Sequence, residues 1–216
     1  MTESVRLEST DGLSLEAEFD VPPTGSPRAV LVFCHPHPKM GGTMNAPLVL
    51  AVRDEVVSRG WAVVRFNFRG IGASEGEPSV GIREVADAEG ALAFGAQRWP
   101  GLDMAIAGWS FGGAVALRAA TRHPELKACA TIAPSVQPKP DVTVGAPPAK
   151  EFSFQGPVLL LSGANDDQVA PADVRLWAAE TGSTFVEMRG ANHFFWAKYE
   201  ALASVVGDFL DEALQR

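Results

Sequence analysis

The chain opens with alternation. "SVRLES" and "LSLEAEFDV" place apolar and polar residues in turn on either side of Asp11-Gly12, the pattern of a hairpin with one face in water, and both segments are expected at a sheet edge. The pattern then changes. "AVLVFC" (Ala29 to Cys34) is apolar throughout, as suits a parallel strand covered on both faces, and a segment of helical period follows it, with Pro47 near its start and Gly60 past its end. The same order recurs along the chain: "WAVVRFNF", a helix carrying Val85, Ala88 and Leu92, "DMAIAGWS", a helix from about Gly112 to Arg122, "ACATIAP", "PVLLLSG", a helix from about Ala172, and "TFVEMRG". A closing helix sets Leu202, Val205, Val206 and Phe209 on one face. Parallel neighbours need crossovers that travel back over a face of the sheet. The expected fold class is therefore α/β: about eight mostly parallel strands with helices on both faces, no large lid domain, and a single domain over residues 1–216.

Ligands of such sheets gather beyond the carboxyl ends of the strands, which directs attention to a few short segments. They are His35-Pro36-His37-Pro38, Asn67 to Gly76, Ser110 with its glycines, Asp166-Asp167 and Asn192-His193. The least regular stretch, with five prolines between Pro134 and Pro148, reads as an excursion over the top of the sheet. "NFRGIGASEG" lacks the Gly-Lys-Ser/Thr ending of a phosphate cradle and reads as scaffolding of the site wall.

In "IAGWSFGGAVAL" a strand passes at once into a helix, and Ser110 stands between Gly108 and Gly112. So sharp a turn leaves no room for side chains two residues either side of the exposed one, and it presents the serine hydroxyl above the sheet at a helix N-terminus. A hydroxyl needs a base to become a nucleophile, and the chain has four histidines. His123 ends a helix before Pro124 and is assigned to capping. His193, in "GANHFFW" after the last strand, is the expected general base, with the neighbouring aromatics excluding water. The acid that orients it comes from "LLLSGANDDQVAP", where Asp166 leaves the strand before Asp167 and ranks above it. The order Ser110, Asp166, His193 is that of the α/β-hydrolases.

An oxyanion hole needs two backbone donors. One is the N–H of Phe111, the residue after the nucleophile; the other must come from His35-Pro36-His37-Pro38, where the prolines have no N–H and His37 is the candidate. His35 and His37 also have the H-x-H form of a metal pair, but the Ser-Asp-His set already accounts for the acid and the histidine, so no metal is assigned.

Composition narrows the partners. The chain has 216 residues, 46% hydrophobic and 20% charged, with a net charge of −8; its 18 basic residues form no stripe, so no nucleic-acid partner is expected. The N-terminus lacks an apolar signal core and no run of membrane-spanning length occurs, so a cytoplasmic protein without a membrane partner is expected. Cys34 and Cys129 lie in apolar runs without C-x-x-C spacing, as two buried thiols would.

Together "CHPHPKMGGTMN", "VVRFNFRGIGASEGE", "GWSFGGAVALRAA", "GANDDQVAP" and "GANHFF" resemble the small, lid-poor bacterial α/β-hydrolases similar to dienelactone hydrolases and serine aminopeptidases, over about Leu7 to Leu210. The resemblance implies an eight-stranded sheet, a Ser110-Asp166-His193 triad and esterase-like acyl transfer without a cofactor. Dienelactone hydrolases proper carry a cysteine nucleophile, so lactone specificity is not inherited with Ser110. The expected substrate is a small or short-chain ester or thioester, in a shallow pocket bounded by Trp109, Phe111, Phe194 and Trp196. Peptide or amide cleavage by the same residues, a non-catalytic binding module on the same fold, and a homo-oligomer whose second subunit covers the mouth stay open.

Overall fold

The amino-terminal hairpin forms as Thr2–Glu8 (β1) and Ser14–Asp20 (β2). The apolar runs become Ala29–Cys34 (β3), Ala62–Phe66 (β4), Asp103–Trp109 (β5), Ala128–Ile132 (β6), Val158–Gly163 (β7) and Thr184–Met188 (β8). In the computed structural model, which describes residues 1–23 and 25–215, these make one eight-stranded sheet in the order β1-β2-β4-β3-β5-β6-β7-β8. Only β2 runs against the rest, pairing antiparallel with both β1 and β4. Of the hairpin strands only β1 is at an edge, β8 forming the other edge of the sheet; β2 is interior, because Ala17–Asp20 pair along β4.

Alternation along the strands divides the interior into two cores. Val30 and Val32 of β3 face the core beneath Glu84–Arg98 (α2), Phe111–Arg122 (α3) and Pro171–Thr181 (α4). Leu31 and Phe33 face the core beneath Pro47–Ser58 (α1) and Tyr199–Ala213 (α5). Burial on both sides is why β3 reads as an unbroken apolar run, and β4, β6 and β7 as runs interrupted only by Arg65, Thr131 and Ser162. Pro47 opens α1 and Gly60, at φ 89°, lies just past its end. The buried stripe of α5 is Leu202, Ala203, Val206, Leu210 and Ala213. Val205 and Phe209 flank it, a rotation of the face expected from sequence.

Two buried guanidinium clusters join the hairpin to the rest of the fold. Arg65 bonds Asp20 (3.0 Å) and Glu18 (2.7 Å); Arg69 bonds Asp87 (2.7 Å) and Asp11 (2.8 Å). The loop after β4 is thereby tied to α2 and to the hairpin turn, as a scaffold for the carboxyl rim of the sheet. Among the described residues no helix is long and apolar enough to cross a membrane.

Candidate active site

Ser110 joins β5 to α3 in a backbone conformation that L-residues rarely adopt, φ 55° and ψ −115°. The flanking glycines permit it by close approach. A Cβ at Gly108 would lie 2.2 Å from the Gly112 carbonyl oxygen, and one at Gly112 would lie 2.2 Å from that of Cys34 and 2.3 Å from that of His35. Backbone hydrogen bonds from β6, the loop after it and α3 hold the turn. The Ser110 N–H donates to the Ile132 carbonyl (2.8 Å), and the Ser110 carbonyl accepts from the Ser135 N–H (3.1 Å) and the Ala114 N–H (3.2 Å).

The loop after β8 brings His193 to this hydroxyl. Its Nε2 is 3.0 Å from Ser110 Oγ and its Nδ1 is 2.8 Å from Asp166 Oδ2. A carboxylate only accepts, so Nδ1 carries the proton and Nε2 is left to take one from Oγ. The other Asp166 oxygen, Oδ1, accepts the N–H groups of Gln168 (2.9 Å) and Val169 (2.8 Å), so the loop after β7 aims the acid by itself. Asp167 is exposed and has no part in this chain. Ser110, Asp166 and His193 are 9%, 8% and 3% exposed, a setting in which these hydrogen bonds face little competition from water.

The two expected oxyanion donors lie on adjacent elements. Phe111 is the first residue of α3, and His37 lies in the loop after β3. Among the described residues neither backbone N–H meets a protein acceptor. The His37 ring packs edge-on against Phe111 at 5.0 Å, and its Nε2 donates to the Val142 carbonyl (3.1 Å), tying this loop to the proline-rich excursion. His35 does a different job. Its Nε2 accepts the Phe68 N–H (3.0 Å) and its Nδ1 donates to the Pro36 carbonyl (2.7 Å), so both nitrogens are occupied and the H-x-H pair does not converge on a common point. Complete burial, partly opposed by the Pro36 bond, pushes the His35 pKa down to about 4. His123, at the end of α3, pairs with the Glu125 carboxylate (2.7 Å) and caps no carbonyl with its ring.

The expected pocket wall divides. Trp109 is 6% exposed and donates its indole N–H to the His193 carbonyl (3.2 Å). It supports the histidine loop from beneath and is not a wall of an open pocket, because β5 alternation turns it into the core with Ala105 and Ala107. Phe194 is half-buried, and Trp196 is 65% exposed. The residues either side of Trp196, Phe195 (φ 52°) and Ala197 (φ 58°), are left-handed, a cost on the order of 1–3 kcal/mol each. Buried Phe195 anchors the loop, a role that "HFFW" gave no periodic signal to reveal. Cys34 lies beneath the turn, and burial pushes its thiol well up, leaving it a core residue. A cavity of about 740 Å3 lies away from Ser110, where β7 and β8 begin, lined by Val158, Thr184, Val205 and Phe209 among others.

Comparison with known proteins gives the family and the fold. Residues 25–156 match the family model described as serine aminopeptidase, S33. A Rickettsia prowazekii (strain Madrid E) protein, itself uncharacterized, is 32% identical over 198 residues, covering 86% of this chain and 80% of its own. An alpha-beta serine hydrolase homologue from Coxiella burnetii superposes with a TM-score of 0.85 at 28% identity, over 96% of this chain and 97% of the other. A Xanthomonas campestris serine hydrolase described as without lid superposes at 0.84 with 28% identity, over 98% and 94%.

Proposed function

The chain belongs to the serine aminopeptidase S33 family within the α/β-hydrolases, and from that membership we propose that it is an esterase-like serine hydrolase cleaving small carboxylic esters or thioesters through an acyl-enzyme. The observation that carries the reading is the continuous chain from Ser110 Oγ through His193 to Asp166, at 3.0 and 2.8 Å. In the first half-reaction Ser110 Oγ attacks the carbonyl carbon as its proton passes to His193 Nε2. The Phe111 and His37 N–H groups hold the resulting oxyanion, and Asp166 stabilises the imidazolium. The intermediate then collapses: the bond to the leaving oxygen or sulfur breaks, and that atom takes the proton from Nε2. In the second half-reaction water gives a proton to Nε2 and attacks the acyl-enzyme, and collapse returns the proton to Ser110 with release of the acid. Each of the two backbone donors contributes roughly a hundredfold or more in rate.

Labelling with a fluorophosphonate tests the reading. Ser110 should be modified in the wild type and the label absent from Ser110→Ala; a wild type that resists labelling and turns over no ester is a binding module on a hydrolase fold. The family description makes amide cleavage the rival activity. Relative rates on p-nitrophenyl acetate and an aminoacyl anilide decide between them, with the ester expected to be the better substrate.

A further inference from the structure

Resting on that hydrolase reading, we propose that Trp196 and Phe194 form a stacking platform for a planar aromatic leaving group, which makes aryl esters or thioesters the preferred substrates. Among the described residues the large apolar side chains left exposed are Met1, Met40, Ile82, Leu176 and Trp196. Met40, Ile82 and Trp196 stand on loops that follow the carboxyl ends of β3, β4 and β8, on the rim that carries Ser110. A single exposed apolar residue needs no explanation, but three on the reactive rim give it an apolar border.

Trp196 is further singled out by what it touches. The Phe194 ring meets the His193 imidazole edge-on at 5.6 Å and 86°, and Trp196 stacks on Phe194 at 5.1 Å and 12°. An unbroken run of rings thus leads from the imidazole to solvent. Its outer member is held in place: Phe195 is buried, its N–H donates to the Asn192 carbonyl (3.2 Å), and its carbonyl accepts from Lys198 (2.9 Å). The left-handed turns at Phe195 and Ala197 fix the direction in which the indole leaves the loop. A platform ordered before binding loses little entropy when a ligand arrives.

Geometry also assigns the side of the substrate. His193 Nε2 must hand its proton to the leaving oxygen or sulfur, so the group attached to that atom extends along the imidazole side, where its own loop continues into Phe194 and Trp196. The stack is open, and an alkyl chain laid on it would keep much of its surface in water. A flat ring gains stacking contact from one face alone, beyond the area it buries.

The test compares 2-naphthyl acetate with ethyl acetate, which pass through the same acetyl-enzyme and differ only in what leaves. Trp196→Ala should lower the ratio of kcat/KM for naphthyl over ethyl ester about tenfold, and Trp196→Phe should retain most of it. Competitive inhibition by 2-naphthol should weaken about tenfold in Trp196→Ala, a reading independent of the chemical step. An unchanged ratio and unchanged inhibition overturn the platform while leaving the hydrolase standing. A loss confined to methyl 2-naphthoate, which carries its ring on the acyl side, overturns the leaving-group assignment. Absence of any Ser110-dependent turnover overturns the hydrolase reading and this inference with it.

Discussion

The acid beside His193 depends on very local chemistry. Asp166 and Asp167 are adjacent and chemically alike, yet only Asp166 has one oxygen fixed by the Gln168 and Val169 amides and the other turned to Nδ1. Asp166→Asn should lower kcat on p-nitrophenyl acetate by about 10⁴-fold, because an amide no longer enforces the tautomer that leaves Nε2 basic. Asp167→Asn, altering an exposed side chain, should stay within about twofold; comparable losses in the two variants would contradict the geometry. The preference for Asp166 was legible in the order of residues leaving the strand. Trp109 differs from the expected pocket wall, because the period of two along Ala105, Ala107 and Trp109 points the indole inward.

At the scale of elements, the loop after β3 invites a substitution that removes one backbone hydrogen. His37 has φ −52°, which proline adopts, so His37→Pro deletes the N–H with little change of the local backbone, and His37→Ala deletes the ring while keeping the N–H. If that N–H holds the oxyanion, kcat should be about a hundredfold lower in the proline variant than in the alanine variant, with KM similar in the two. Equal kcat values would remove His37 from the role. The strands themselves were legible because burial on both faces leaves β3 wholly apolar and β6 and β7 nearly so, with Thr131 and Ser162 as single polar members. The face of α5 was less so: Val205 and Phe209 are as apolar as Leu210, and only packing against the sheet and α1 distinguishes the stripe from its flank.

Across the whole molecule, the rim of the sheet is wired together by polar groups that pattern alone could not place. Arg69 and Asp87 lie 18 residues apart on a loop and a helix, and composition assigns charges to the surface, yet both are buried and paired. His35 is a titratable link between the loops after β3 and β4. Its pKa falls from the ordinary value of about 6.5 to about 4 on folding, so the unfolded chain binds the proton more readily between those values. Stability therefore declines as pH drops through that window. This group alone should remove about 2 kcal/mol between pH 7 and pH 5, read by urea unfolding. His35→Gln, whatever its stability at pH 7, should show a difference between the two pH values smaller by that amount; an identical difference would mean that the imidazole already carries its charge when folded. A last consequence follows from the bend at Ser110. Its main-chain atoms are held by Ile132, Ser135 and Ala114, and its curvature is set by missing side chains at 108 and 112. Nothing in that mount depends on oxygen standing at the apex. Sulfur would inherit the same pose, so one codon separates two kinds of reactive atom on an unaltered frame.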